Sequence, residues 1–132
     1  METIYKEPSQ EVDNVAKQVV DAAYRVHKNL GPGLLESVYE TCLVHEIKKK
    51  GMLFEQQKYI HIEYDGIKLD AGLRVDLVVN NCVVVELKAV ESVLPVHEAQ
   101  LLTYLKLMDK RVGLLINFNV PLIKNGIKRK VK

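Results

Sequence analysis

Hydrophobic residues in the first third of the chain recur at intervals of three and four, the spacing of an amphipathic helix. The first such stretch predicts a helix from about residue 11 to residue 29, which Gly31-Pro32-Gly33 ends. A second helix follows and ends at three lysines, residues 48–50, and Gly51, residue types favoured at a helix C-terminus. The pattern predicts a helical hairpin. Its apolar positions are Val12, Val15, Ala16, Val19, Val20, Ala23, Val26 and Leu30 in the first helix and Leu35, Val38, Tyr39, Cys42, Leu43 and Ile47 in the second.

In the middle of the chain the apolar residues change from helical spacing to every second position, the spacing of a β-strand. Alternation through residues 54–64, the turn dipeptide Asp65-Gly66 and renewed alternation at residues 67–69 predict a β-hairpin. Residues 73–79 and 82–87 are apolar at nearly every position, which is typical of strands covered on both faces. These two segments are therefore the predicted central strands.

Helix and strand signals alternate once more before the chain ends. Pro95 opens a third predicted helix over about residues 95–109, and residues 112–118 form another apolar strand. Residues 127–131 carry the pattern of a small extra strand. Apart from that extra strand, the order is ααββββαβ, an α/β chain.

Length and composition narrow the class of protein. A chain of 132 residues that is 48% hydrophobic and 27% charged fits one folded domain, residues 1–132, with a flexible N-terminal segment 1–10. The two cysteines, Cys42 and Cys82, suggest neither a disulfide framework nor a zinc site. No segment resembles a signal peptide, and none approaches the roughly 18 apolar residues of a membrane span. We therefore expect a cytoplasmic protein with no membrane partner.

The small net charge of +2 conceals an uneven distribution. Residues 110–132 contain seven basic residues and no acid, whereas residues 1–109 contain 12 bases and 17 acids. A basic C-terminal segment on an acidic body is compatible with a polyanionic partner near that end. It is equally compatible with a solvated terminus.

Three charged residues interrupt the predicted central strands. Asp76 lies in the first of these strands, and Glu86 and Lys88 lie in the second. Burying an unpaired carboxylate costs several kcal/mol unless a cation or hydrogen bonds compensate it. One explanation is an ion pair from Lys88 to one of the acids, which leaves the other unexplained. The other is a divalent-metal site, because Mg²⁺ takes one or two carboxylates together with water and phosphate oxygens.

A shared site sets a condition on the turn between the two strands. If Asn80-Asn81 were a two-residue turn, Asp76 would lie opposite Val85, and Glu86 would point to the other face of the sheet. A joint site therefore predicts a three-residue loop centred on Asn81, or a bulge, that brings Asp76 opposite Glu86.

Two of the predicted helices also carry candidate site residues. Glu36 lies in the first turn of the second helix, where a carboxylate favours the helix dipole whether or not it belongs to a site. In the third helix His97, Gln100 and Tyr104 share one face at helical spacing, with Leu102 and Leu105 on another. That polar stripe indicates either a ligand cleft or a solvated helix face.

These residues together resemble a known family. Asp76, nine intervening residues and Glu86-Leu87-Lys88 resemble the signature of the PD-(D/E)XK nuclease superfamily, and Gly33-x-x-Glu36-x-x-Tyr39 resembles the motif that names its GxxExxY branch. The resemblance extends from about residue 10 to residue 130, with Val75 at the proline position of the PD element. Further stretches that carry it are residues 31–40, 85–91, 97–105 and 113–121.

The resemblance implies a restriction-endonuclease-like core, a mixed sheet flanked by helices. It implies that Asp76, Glu86 and the Leu87 carbonyl hold Mg²⁺ or Mn²⁺, with Glu36 acting directly or through water. Lys88 would be the catalytic lysine. The same resemblance places Gln100 and Tyr104 in the catalytic set, as the Q-x-x-x-Y helix motif.

We therefore expect a metal-dependent nuclease that hydrolyses phosphodiester bonds, with DNA as the first candidate substrate. The alternative is a nuclease-fold protein that binds nucleic acid or serves as an adaptor, with weak or no turnover. A third class, a purely structural partner protein, would not explain the charged residues in the central strands. With 132 residues there is little room for a specificity domain, so self-association or a partner protein is expected to supply substrate choice.

Overall fold

The computed structural model describes residues 6–69 and 72–132. Three helices and seven strands are present in these ranges. The helices are α1 (Gln10–Leu30), α2 (Glu36–Lys49) and α3 (Pro95–Met108), and a short 3-10 helix spans Ile123–Gly126. The strands are β1 (Phe54–Tyr59), β2 (Ile62–Tyr64), β3 (Ile67–Leu69), β4 (Arg74–Val79), β5 (Val83–Lys88), β6 (Val112–Asn117) and β7 (Ile127–Val131).

Five of the strands form one mixed sheet in the order β1-β4-β5-β6-β7. The β5–β6 pair is parallel, because helix α3 carries the chain back across the sheet between them, and the other neighbouring pairs are antiparallel. This architecture confirms the predicted α/β class with a mixed sheet flanked by helices. It also makes β4 and β5, the strands with the interrupting charges, central in the sheet.

Apolar side chains cover both faces of the central strands. The face that carries Leu77, Val85 and Leu114 packs against α1 and α2. The opposite face, with Val78, Val84 and Leu115, packs against α3. Because successive side chains in a strand point to opposite faces, Glu86 and Lys88 belong to the face that α3 covers. The alternation breaks at Asp76, since Val75 packs on the α3 side of the sheet and Leu77 packs on the side of α1 and α2.

The predicted order of elements is wrong at one place. The alternation over residues 54–64 predicted a single strand leading into the hairpin, but the chain breaks at Ile60 and His61. There the Ile60 amide donates to the Leu73 carbonyl at 2.8 Å and the Ile60 side chain is buried on the α3 side of the sheet. Strand β1 consequently pairs with β4 in the main sheet, whereas β2 and β3 form a separate two-stranded hairpin.

The basic C-terminal segment is an element of the fold, since its last residues form β7, the predicted extra strand, at the edge of the sheet beside β6. Three of its basic side chains contact acids of the body: Arg129 pairs with Asp13, Lys130 with Glu98 and Lys132 with Asp109. Three of the seven basic residues of this segment are therefore paired with acids of the rest of the chain.

Residues 6–9, which precede α1, make specific contacts with the rest of the protein. Residues 1–5 of the segment expected to be flexible lie outside the described residues. From there on, the Lys6 carbonyl accepts a hydrogen bond from Arg111, Pro8 is buried, and the Ser9 hydroxyl accepts from the Val12 amide as the cap of α1. Both cysteines carry free, half-buried thiols. No helix in the described parts of the chain is long and apolar enough to cross a membrane.

Candidate active site

The turn between β4 and β5 sets the position of the two acids. Val79 pairs with Val83, so three residues, 80–82, form the loop. Asn80 and Asn81 adopt left-handed backbone angles, with φ of 48° and 54°, which asparagine tolerates better than most residues. The three-residue loop centred on Asn81 is thus confirmed. Continuing the register one step beyond the Leu77–Val85 pair brings Asp76 opposite Glu86.

Asp76 and Glu86 are joined by reciprocal hydrogen bonds. The Asp76 amide donates to Glu86 Oε1 at 2.9 Å, and the Leu87 amide donates to Asp76 Oδ2 at 2.8 Å. The paired residues of β4 and β5 end at Leu77 and Val85, so side-chain carboxylates replace the backbone ladder at this point. The two strands consequently separate here, with both carboxylates in the gap between them.

The Leu87 carbonyl faces the same gap. Within a strand, the N–H and C=O of one residue point toward the same neighbouring strand. Because the Leu87 amide donates to Asp76, its carbonyl is directed toward β4 as well. The next residue faces the other way, since the Lys88 carbonyl accepts from the Phe118 amide at 3.0 Å, beyond the end of β6.

Lys88 lies near the acids without pairing to either. None of the ion pairs between described residues includes Lys88. Lys88 nevertheless interacts electrostatically with the acids, because its positive charge lowers the pKa of both Glu36 and Glu86. Burial and the Asp76 carboxylate raise these two pKa values by more. The interpretation of Lys88 as a structural ion-pair partner is therefore not what the structure shows.

The carboxyl of Glu86 is held in an environment that resists its charge. Burial raises the pKa of Glu86 to about 7, and the neighbouring Asp76 carboxylate adds to the increase. The hydrogen bond from the Asp76 amide and the charge of Lys88 act in the opposite direction. At Glu86, burial and the neighbouring Asp76 carboxylate therefore outweigh the compensating charge of Lys88.

Glu36 is the first residue of α2 and reaches the same cluster. Partial burial raises its pKa, and Asp76 raises it further, while Lys88 lowers it. These mutual effects show that the helix acid and the strand acids lie close enough to interact. The site is thus assembled from one helix terminus and two strands.

The loop before Glu36 explains the spacing of the glycine-glutamate-tyrosine motif. Gly31 and Gly33 have φ of 69° and 99°, a conformation that glycine adopts without strain. One turn into α2, the Tyr39 hydroxyl donates to the Gly31 carbonyl at 2.6 Å and accepts from the Leu34 amide at 3.1 Å. The Tyr39 ring stacks on Phe118 with centroids 4.6 Å apart. The tyrosine therefore fixes the loop that delivers Glu36.

On α3 the predicted polar stripe divides into different environments. Tyr104 is buried, and burial is the main reason why its pKa is raised. The charges of Glu86 and Asp76 raise this pKa further, so Tyr104 lies near both acids. The side chain of Gln100 forms a hydrogen bond with Tyr104. His97 has another task, because its Nδ1 accepts from the Leu94 amide at the start of the helix. Leu102 and Leu105, which were predicted to share another face, also differ, since Leu105 is fully buried and Leu102 is 40% exposed.

Two residues of the site have no counterpart in the predictions. Gln57 in β1 donates from Nε2 to Asp76 Oδ1 at 3.3 Å and to Glu40 Oε1 at 3.0 Å. Glu40 stands one helical turn after Glu36, and this spacing could have indicated that it shares the face of α2 with Glu36. Nothing in the sequence pattern singled out Gln57, a polar residue in a half-exposed strand.

The atoms available to bind a metal ion in the gap between β4 and β5 are oxygen atoms. Within residues 6–69 and 72–132 no three His, Cys, Asp or Glu side chains are grouped as metal ligands. Asp76 and Glu86 supply two carboxylates, and Leu87 supplies a carbonyl on the same side. All three are hard oxygen donors, of the kind that Mg²⁺ and Mn²⁺ accept, with water completing the coordination.

Comparison with known proteins identifies the family. A sequence profile described as the PD-(D/E)XK nuclease superfamily matches residues 13–130, which is most of the chain. No curated protein and no solved structure matches the chain. The chain belongs to the PD-(D/E)XK nuclease superfamily, and the five-stranded mixed sheet flanked by helices is consistent with the restriction-endonuclease-like fold of that class.

Proposed function

We propose that the protein is a metal-dependent nuclease that hydrolyses phosphodiester bonds at the gap between β4 and β5. The observation that carries this proposal is the reciprocal hydrogen bonding of Asp76 and Glu86, with Lys88 on the same face of β5 as Glu86. Membership of the nuclease superfamily supports the same chemistry. A purely structural arrangement would not require two adjoining carboxylates, because neutral side chains could accept the same two backbone hydrogen bonds without the repulsion between buried charges.

The residues present fit a hard divalent cation. Asp76, Glu86 and the Leu87 carbonyl would hold Mg²⁺ or Mn²⁺, and Glu36 would contribute directly or through water. The raised pKa of Glu86 supports this assignment, because a cation would compensate the charge that burial and Asp76 disfavour. When bound, such a cation polarises the phosphate and lowers the pKa of a water molecule.

The remaining residues would position and stabilise the reacting groups. Lys88 would orient the attacking water and stabilise the negative charge that develops on the phosphate oxygens. The absence of an ion pair at Lys88 among the described residues supports this assignment, since its ammonium group is not committed elsewhere. Tyr104, held by Gln100, would close the α3 side of the gap.

The finer identity follows from the motif around α2. We place the chain in the GxxExxY branch, because Gly33, Glu36 and Tyr39 each have a distinct task in forming the site. DNA is the first substrate to test, and specificity would come from self-association or from a partner protein. The cytoplasm is the expected location.

Cleavage assays with purified protein test the proposal directly. Duplex, single-stranded and branched DNA, together with RNA, would each be incubated with Mn²⁺ or Mg²⁺ and with EDTA. We expect metal-dependent cleavage of at least one substrate. We expect Asp76→Ala and Lys88→Ala each to reduce the rate by at least about 100-fold, the scale on which loss of a preorganised charge acts.

Asp21→Ala and Lys17→Ala are matched controls, because these exposed residues lie on α1, across the sheet from α3. Both should cleave at the wild-type rate. Equal cleavage by all four variants would identify a contaminating nuclease. Salt-dependent binding of nucleic acid with no cleavage under any metal condition would contradict the proposal in favour of a binding or adaptor protein.

A further inference from the structure

Resting on the proposed function, we infer that Gln57 and Glu40 are positioning residues that fix the Asp76 carboxylate in the orientation needed for metal binding. Neither residue belongs to the catalytic set that the motif defines. Their role follows from a strained backbone position and from a chain of hydrogen bonds that ends on Asp76.

The backbone of Gln57 is unusual for a residue inside a strand. Gln56 pairs with Leu77 and Lys58 pairs with Val75, so the register places Gln57 beside Asp76. At this point φ is 50°, in the left-handed region that a residue with a Cβ seldom occupies. Such a conformation is unfavourable for a residue with a Cβ and persists where the surroundings enforce it, which is often at functional sites.

The Gln57 side chain bridges two carboxylates. Its amide nitrogen has two protons, and the two acceptors within reach are Asp76 Oδ1 at 3.3 Å and Glu40 Oε1 at 3.0 Å. The other oxygen of Asp76 is already held by the Leu87 amide at 2.8 Å. Both oxygens of Asp76 are therefore restrained, and the carboxylate cannot rotate without losing one of these bonds.

Glu40 anchors the bridge from the side of α2. Its Oε2 accepts from Gln56 Nε2 at 3.0 Å, so both oxygens of Glu40 are also engaged. Because Glu40 follows Glu36 by one helical turn, the same helix that delivers Glu36 to the site orients Asp76 through Gln57. The helix acid and the strand acid are thereby kept in a fixed relation.

Hydrogen-bond partners of metal-binding carboxylates have a measurable effect. Their loss typically lowers metal affinity or activity by about 10- to 100-fold. We expect a decrease in this range in Mn²⁺ affinity and in kcat when the Gln57 amide is removed. KM for nucleic acid should stay the same, because Gln57 does not contact the substrate in this assignment.

Gln57→Gly separates positioning from folding. Glycine adopts φ of 50° without strain, so this variant should keep or increase the Tm while it loses the bridge. The matched control is Gln10→Ala, which removes an exposed glutamine at the start of α1 that takes no part in the bridge to Asp76.

The experiment measures Mn²⁺ affinity by isothermal titration and Tm by calorimetry. It measures kcat and KM with a substrate that the cleavage assays identify. Reduced Mn²⁺ affinity and kcat in Gln57→Gly at an undiminished Tm, with Gln10→Ala close to wild type, supports the inference. Wild-type Mn²⁺ affinity in Gln57→Gly overturns it, and so does a loss of affinity that merely accompanies a lower Tm. If the wild-type protein cleaves nothing, the proposed function fails, whereas the comparison of Mn²⁺ affinities still tests Gln57.

Discussion

At the scale of single residues, Glu86 shows how a buried acid opposes stability. Its carboxyl lies mostly buried beside Asp76, and burial followed by that neighbour raises its pKa to about 7. In the unfolded chain the same group titrates near 4.5. The folded protein therefore binds a proton that the unfolded chain releases between these two values, and the free energy of unfolding falls as the pH rises through this range.

Glu86→Gln should remove this pH dependence. The amide oxygen still accepts from the Asp76 amide, but no charge forms, so the two proteins should have similar stability below pH 4.5. Above pH 7 and without divalent cations, the variant should be more stable by up to about 3 kcal/mol, since one pKa unit corresponds to roughly 1.4 kcal/mol. Urea unfolding at pH 4.5, 6 and 8 measures the difference.

The control for this prediction is Glu91→Gln, which changes an exposed acid just beyond the gap. Its stability should follow that of the wild type at each pH. Added Mn²⁺ should stabilise the wild type at pH 8, because the cation binds the folded state, and should stabilise Glu86→Gln much less. A constant difference between Glu86→Gln and wild type across the pH range would contradict the assignment of the pKa.

At the scale of elements, the turn between α1 and α2 depends on a side chain that follows it. The hydroxyl of Tyr39 joins the Gly31 carbonyl and the Leu34 amide, and its ring is fully buried against Phe118. Packing holds the ring in place while the hydroxyl holds the loop. The two contributions can therefore be separated by removing one oxygen atom.

Tyr39→Phe should lower the free energy of unfolding by about 1–2 kcal/mol, because it leaves two backbone groups of the loop without their partner and keeps the stacked ring. It should also reduce cleavage, since Glu36 is delivered by this loop. Tyr24→Phe is the matched control, because that ring is 44% exposed on α1, and it should change stability by less than about 0.5 kcal/mol. Equal effects of the two substitutions in urea unfolding would show that the Tyr39 hydroxyl does not hold the loop.

The elements differ in how well the sequence predicted them. The position of Asp76 opposite Glu86 was predictable, because charges that interrupt two neighbouring apolar strands suggested a shared site, and a shared site required the three-residue loop that the structure has. The break at Ile60 was not, since the alternation of apolar residues continues through it and a tertiary hydrogen bond to Leu73 decides the path. Gln57 was missed for a similar reason, because its left-handed backbone appears only when β1 pairs with β4.

At the scale of the whole molecule, the basic residues near the C-terminus divide by face of the sheet. In the β6–β7 pairing, Lys128 lies opposite Leu115, and Leu115 pairs in turn with Glu86. Directly paired residues project on the same face, so Lys128 stands on the side of the gap, two strand spacings or roughly 10 Å away. Arg129 points to the other face, where it pairs with Asp13.

Lys128 is therefore the basic residue of β7 best placed to contact a phosphate of nucleic acid bound at the proposed active site. Its side chain is exposed, and no ion pair between described residues includes it. Lys128→Ala should weaken nucleic-acid binding to a similar extent on every sequence and reduce the slope of log K against log salt by about 1, as expected for one lost phosphate contact.

Lys17→Ala removes the same charge on the opposite side of the molecule and should leave both the affinity and the slope unchanged. Fluorescence anisotropy over a range of salt concentrations, with Ca²⁺ in place of Mn²⁺ to limit turnover, measures the two quantities. An equal change of slope in both variants would mean that the protein attracts nucleic acid by net charge alone. A change confined to Lys128→Ala would place the bound strand across β5, β6 and β7, on the face that also carries Glu86 and Lys88.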